Sequence, residues 1–336
     1  MWDAAPLARP PTMAHPPARP PGIGVGTWAW GNQLLWGYDP SQDPVLEATF
    51  AAAVAAGLHT FDTADSYGTG RFNGRSEALL GRFVAALAPA GRESLCVATK
   101  LAPFPWRLGR QGYQRAFEAS KQRLGGRVDL VQLHWSTARY APWQEGPLLD
   151  GLADLVLRGE AGALGVSNMG PRRLRAVHRR LADRGVRLSS LQVQLSLLAS
   201  EPIGAGGVAD VCRELEIHLI AYSPLALGLL ARPLDRQTWP AGPRGALFRR
   251  LAPALVDLQA EMARIAVGQA GGLAAVALNW CRAHGAMPIP GLRRPEQVEQ
   301  AAAALTWTLN LEDRTRLDGL AQALEARMPA NPFQSD

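Results

Sequence analysis

LCVATKLAPFPWRLGRQGYQRAFEASKQRLGGRVDLVQLHW, residues 95–135, holds one full repeat of the architecture. It opens with a short apolar run (95–100) and passes through a loop rich in Pro and Gly. A segment (111–124) follows whose apolar positions fall at i, i+3, i+4 and i+7, and the stretch closes on a second apolar run (128–135). Strand, helix, strand is the reading. The same alternation extends in both directions. Apolar runs stand at 22–28 (GIGVGTW), 58–64 (LHTFDTA), 161–168 (AGALGVSN), 191–198 (LQVQLSLL), 217–225 (IHLIAYSPL) and 286–292 (AMPIPGL). Helical periods fill 44–56, 75–87, 144–158, 171–183 and 205–215. The early strands start about 35 residues apart, the length of one βα unit. Strands apolar along their whole length belong to a parallel sheet covered on both faces, and eight such units close into a (β/α)8 TIM barrel, an α/β fold.

One interruption stands out. Residues 223–250, rich in Pro and Gly, read as a long loop after the seventh strand, on the face where barrels place their chemistry. Helices are expected at 254–267, 271–283 and 295–304, and a polar helix near 311–327 is expected outside the barrel. A doubly wound open sheet would need a Gly-rich turn opening a helix after its first strand. GIGVG lies inside the strand instead, so that alternative is set aside.

The chain has 336 residues, 47% of them hydrophobic and 19% charged, which supports a sizeable core. The domain reading is a Pro-rich, unstructured extension over 1–21, a barrel over 22–325 and a tail over 326–336. The extension carries seven prolines and no apolar core of a secretory signal; its arginines and scarcity of acid are also compatible with a transit role. No apolar run approaches the roughly 18–20 residues that span a bilayer. Cys96, Cys212 and Cys281 stand far apart, which speaks for a reducing, cytoplasmic setting over a disulfide or zinc scaffold. The net charge of +6 is spread along many helices and not massed in a block, so no nucleic-acid partner is read from it. Of 35 basic residues only Lys100 and Lys121 are lysine, and a lysine kept in so arginine-rich a chain suggests chemistry that needs a compact ammonium.

On this layout Asp62 and Tyr67 (FDTADSYGTG), Lys100 (VATK) and His134 (LHW) stand at or just beyond the ends of strands two, three and four. Each alone has an ordinary structural explanation, as a cap, a packing residue or a core histidine. Together, at consecutive strand ends, they form a proton-delivery set. A phenol with pKa near ~10 is expected to be lowered by the Lys100 ammonium, Asp62 would hold that ammonium charged, and His134 would orient a carbonyl oxygen. One histidine and one aspartate do not make a metal site, so no metal is expected.

These residues, with DTADSYG, ATK, QLHW, GVSN, AYSPLA and IPG followed by RRPEQ in this order, resemble the aldo-keto reductase superfamily over nearly all of 22–325. GTWAWG, FPWRLGR and GPRG look closest to a branch from photosynthetic lineages. The resemblance implies a catalytic tetrad of Asp62, Tyr67, Lys100 and His134, with Tyr67 as general acid, and NADP(H) as cofactor. It implies that Ser167, Asn168 and Gln192 bind the nicotinamide carboxamide, that Tyr222 stacks on its ring, and that Thr27 and Trp28 lie beside it. Ser223, Leu225 and Gly228 would begin the cover over the pyrophosphate, with GPRG (242–245) as part of it. Gly291, Arg293, Arg294 and Gln297 would take the 2′-phosphate end, where guanidinium makes paired charge-assisted hydrogen bonds. Gln300 and Ala301 replace a usual Glu-Asn pair at the adenine, and Gln194, Leu195 and Ser196 replace a frequent Asn-Tyr-Ser. Trp28 or Trp30, with Trp106 and Trp135, are expected to line an apolar pocket for a small-molecule aldehyde or ketone. The alternative function is an NADPH-binding regulatory or partner subunit with slow residual reductase activity.

Overall fold

The computed structural model describes residues 22–335, so the expected extension over 1–21 lies outside the described residues. Eight strands follow one another: β1 (Val25–Gly26), β2 (Thr60–Asp62), β3 (Cys96–Leu101), β4 (Leu130–Leu133), β5 (Ala163–Ser167), β6 (Leu188–Gln194), β7 (His218–Tyr222) and β8 (Ala286–Ile289). Each pairs in parallel with the next, in sequence order. The sheet meets itself where Gly24 N donates to Pro288 O (3.0 Å) and Gly26 N to Pro290 O (2.9 Å). This seam explains GIGVG. A Cβ on Gly26 would stand 2.8 Å from Ile289 O, and one on Gly24 would stand 2.9 Å from Ile289 Cγ2. The glycines let β1 and β8 approach.

Because strand side chains alternate, each strand feeds two compartments. On the outer face, Phe61, Val97, Leu101, Val131, Leu164, Val166 and Leu191 pack beneath the helices in the main core. On the inner face Ala98, Leu130, Ile220 and Ile289 form a small apolar plug. Asp62, Lys100, Gln132 and Gln192 share that inner parity and are buried with it.

The helices lie close to where the periodicity predicts. Several begin with proline in the first turn, as at Pro142, Pro171 and Pro295, where a missing N–H costs nothing. Two differences bear on function. The segment expected as a long loop contains the helix Gly242–Leu251, started by GPRG, with Pro243 in its first turn. The outer polar helix spans Leu311–Ala323 and ends short of 327, because the chain then turns back across the barrel mouth. That helix is docked by polar contacts: Trp280 Nε1 donates to Asp318 Oδ1 at 2.7 Å, and Arg264 pairs with Asp313. Among the described residues, no helix is long and apolar enough to cross a membrane.

Candidate active site

Asp62 is the hub of the barrel's inner polar layer. Lys100 Nζ donates to Asp62 Oδ1 and, at 2.9 Å, to Thr63 O. Gln132 Nε2 and Gln192 Nε2 both donate to Asp62 Oδ2, at 3.0 and 2.9 Å. An ion pair this deep persists only when its remaining lone pairs and protons are satisfied, and the two glutamines do that for the carboxylate. Gln132 escaped the sequence reading. Its signal was an amide in the middle of an otherwise apolar strand.

Tyr67 stands over this layer, its ring centroid 5.0 Å from Lys100 Nζ and 5.8 Å from the His134 ring. Enclosure raises its pKa well above 10, with the charges of Asp62 and Asp65 adding to the effect. The expected lowering by lysine is therefore reversed. Desolvation and two carboxylates outweigh one ammonium, and Tyr67 keeps its proton at neutral pH. Burial lowers the Lys100 pKa and holds His134 well below 6.5, where the nearby charges of Lys100 and Arg107 also disfavour an imidazolium. Ser66 Oγ lies 3.3 Å from His134 Nδ1.

The loop carrying Tyr67 is strapped to the strand carrying Lys100. Asp65 N donates to Lys100 O (3.0 Å), Ala102 N to Asp65 Oδ1 (3.2 Å), and Arg107 bridges the Asp65 carboxylate and Ala102 O. Burial pushes the Asp65 pKa up to about 6 despite the opposing guanidinium of Arg107.

A cavity of about 890 Å³ opens above these residues, and all four line it together with the residues expected to hold the cofactor, save that only Arg244 of GPRG reaches it. Near the tetrad, Asn168 adopts a left-handed conformation (φ 59°), unusual for a residue with a side chain. Its Nδ2 donates to His134 O and Ser167 Oγ, both at 3.1 Å. Tyr222 OH donates to its Oδ1 at 2.9 Å. Ser223 and Leu227, after β7, have positive φ as well. Among the described residues, three of the five non-glycine residues with positive φ thus line this one cavity, as strained backbone at a functional site does.

Arginines gather at the far end. Arg244, from the GPRG stretch expected over the pyrophosphate, comes from the helix Gly242–Leu251 and lies with its guanidinium carbon 3.9 Å from the centroid of Trp36. Arg293 approaches the same ring at 5.9 Å and donates to Gln42 Oε1. Its backbone N donates to Gln297 Oε1 (2.8 Å). Arg232 and Arg294 line the same region. Burial, then the charges of Arg232 and Arg293, depress the Arg244 pKa to about 10, and its buried Nε has no hydrogen-bond partner. Like charges gathered around an orphaned donor fit a phosphate-bearing cofactor, which would satisfy both.

The tryptophans divide. Trp28 and Trp135 line the cavity. Trp30 does not. It is fully buried in the outer core, packed edge-on against Phe83, with Nε1 donating to Leu292 O at 2.8 Å. The chain turns at 28–31, with Trp30 N bonded to Thr27 O, and this turn sends the two tryptophans to different compartments. Trp106 is 73% exposed and stacks on Phe104 away from the cavity. In place of these two, the C-terminal segment supplies Asn331 and Phe333, the latter stacked on Trp135 with centroids 4.5 Å apart. Among the described residues, no group of three or more His, Cys, Asp or Glu could hold a metal ion.

A barrel whose mouth opens on a cavity lined by Asp62, Tyr67, Lys100 and His134 and by several arginines has the frame of a dinucleotide-dependent oxidoreductase. Residues 22–322 match the aldo/keto reductase family, and the chain belongs to that family. It is 44% identical over 318 residues to the chloroplastic pyridoxal reductase of Arabidopsis thaliana, covering 93% of this chain and 86% of that one. It is 33% identical over 306 residues to a 6-dehydroglucose reductase of Novosphingobium aromaticivorans, covering 87% and 90%. Among solved structures, an aldo/keto reductase from Klebsiella pneumoniae in complex with NADP and acetate superposes with a TM-score of 0.69 at 25% identity, over 94% of this chain and 95% of that one.

Proposed function

We propose that the chain reduces an aromatic or heteroaromatic aldehyde of the pyridoxal type to its alcohol, with NADPH as reductant and Tyr67 as proton donor. The carrying observation is the approach of Tyr67 to Lys100 in one cavity with Asn168, Gln192 and the arginine cluster.

When bound, NADPH supplies a hydride to the carbonyl carbon. Tyr67, kept protonated by its enclosure, gives its hydroxyl proton to the carbonyl oxygen as negative charge builds there, which completes the alcohol. The Lys100 ammonium, pinned by Asp62, stabilises the phenolate left behind until solvent restores the proton. Burial favours the neutral form of His134, and in the tautomer in which Ser66 Oγ donates to Nδ1, the Nε2–H is left to hold the carbonyl oxygen. Gln192 spends its Nε2 on Asp62 and Gln132, which leaves its Oε1 for the nicotinamide carboxamide. Arg244 and Arg293, beside Trp36, take the 2′-phosphate and adenosine end.

The substrate class follows from Trp28 and Trp135, which give the mouth flat apolar walls, and agrees with the activity named for the Arabidopsis relative. The three cysteines are free, in keeping with a reducing compartment; we assign the cytoplasm, with a plastid as the alternative given that relative's location. The test is NADPH oxidation with pyridoxal, benzaldehyde and short aliphatic aldehydes. Faster turnover of the aromatic aldehydes is expected. Tight NADPH binding without turnover of any of them would favour a regulatory subunit.

A further inference from the structure

We propose that Asn331 is an internal stand-in for the nicotinamide carboxamide, so that the C-terminal segment 328–335 and the cofactor compete for Asn168. The inference rests on the reading of Asn168 as the carboxamide's partner.

The segment is latched across the mouth by specific contacts. Met328 N donates to Leu198 O (2.9 Å) and Ser335 N to Asn168 O (3.1 Å). Asn331 Nδ2 donates to both Asn168 Oδ1 (3.0 Å) and Tyr222 OH (2.8 Å), while Asn331 Oδ1 accepts from Phe333 N (2.9 Å). An asparagine side chain is a primary carboxamide, the group that nicotinamide presents. It sits against Asn168, expected to hold that group, and Tyr222, expected to stack on the ring that carries it.

Hydrogen-bond capacity turns proximity into competition. Asn168 Oδ1 has two lone pairs, and they already receive Tyr222 OH and Asn331 Nδ2. Both protons of Asn168 Nδ2 are committed to His134 O and Ser167 Oγ. The side chain is saturated, so a carboxamide N–H arriving at Oδ1 needs one of the two donors to leave. Tyr222 is anchored at the end of β7, whereas Asn331 belongs to a terminal segment joined to the barrel mouth by a few hydrogen bonds and one ring stack. Asn331 is the donor that yields. Cofactor binding then unlatches the segment, and its return helps expel the spent cofactor.

The full chain, Asn331→Ala and Asn331→Leu are titrated with NADPH by fluorescence, and hydrogen exchange is followed over 328–335 with and without NADPH. Both variants are expected to bind NADPH about two- to tenfold more tightly, the worth of one net hydrogen bond. NADPH should speed exchange in the segment of the unsubstituted chain. Unchanged or weaker binding by the variants, or a segment that NADPH protects, overturns the competition while leaving the cofactor site standing. A parent chain that binds no NADPH overturns the site reading itself.

Discussion

The ammonium of Lys100 and the carboxylate of Asp62 form an ion pair inside the barrel, with side chains only 1% and 4% exposed. Neither charge has water to fall back on. Removing one partner of such a pair costs about 3–5 kcal/mol, because the other remains charged and alone. Lys100→Met is therefore expected to lower unfolding stability by that amount. The double variant Lys100→Met/Asp62→Asn should lose less than the two single losses combined. Urea unfolding of all four proteins measures the coupling, and additive losses would show that the pair does not act as a unit.

Tyr67→Phe keeps the ring against Lys100 and deletes only the hydroxyl that carries the proton. Turnover should fall by on the order of 10² to 10⁴, the usual worth of a positioned acid, with NADPH affinity nearly unchanged. Wild-type turnover would remove Tyr67 from the chemistry.

Arg244→Ala and Arg293→Ala test the basic end of the cleft. Each charge-assisted contact to a 2′-phosphate is worth about ten- to a hundredfold in NADPH affinity and nothing in NADH affinity. Arg244→Ala should show the larger loss, since its buried Nε lacks a partner and its plane is set against Trp36. Equal losses for both cofactors would mean that neither arginine reads the phosphate.

Trp30 and Trp135 should separate stability from recognition. Trp30→Ala empties a fully buried site and strands Leu292 O, at a cost of about 3–5 kcal/mol, with the KM of the folded enzyme unaltered. Trp135→Ala should raise KM for aromatic aldehydes more than for aliphatic ones. Thermal unfolding and steady-state kinetics on both variants are the check; a KM change in Trp30→Ala without loss of stability would contradict this placement.

The depressed His134 pKa predicts a pH dependence of stability with a definite sign. The unfolded imidazole takes up a proton near 6.5 and the folded one resists it, so below that value the unfolded chain binds more protons. His134's contribution is fully present above pH 6.5 and is lost as pH falls below it, at up to about 1.4 kcal/mol per pH unit. His134→Asn should lose stability less steeply than the parent between pH 6.5 and 5. Parallel slopes would show that His134 is readily protonated in the fold.

Strand ends were legible because strand and helix periods are local, and a barrel carries the C-terminal end of every strand to one face whatever the side chains are. That logic alone brought Asp62, Lys100 and His134 together from positions 72 residues apart, along with Tyr67 in the loop after β2. The direction of the Tyr67 pKa was misread for the complementary reason. Distance to an ammonium can be inferred from order along the chain, but desolvation depends on everything packed around the ring.

The remaining surprises were all tertiary. Trp28 and Trp30 differ by one turn, which sends one to the cavity and the other to the core. GPRG read as loop, yet Pro in a first turn lets it start the helix that aims Arg244 at Trp36. Asn331 reaches Asn168 across 163 residues with no local pattern to announce it. Periodicity, turn chemistry and motif order reside in neighbouring residues and so determined the barrel and which residues stand at its rim. Burial, electrostatic balance and the return of the tail depend on contacts between distant segments, and those exist only once the barrel has closed.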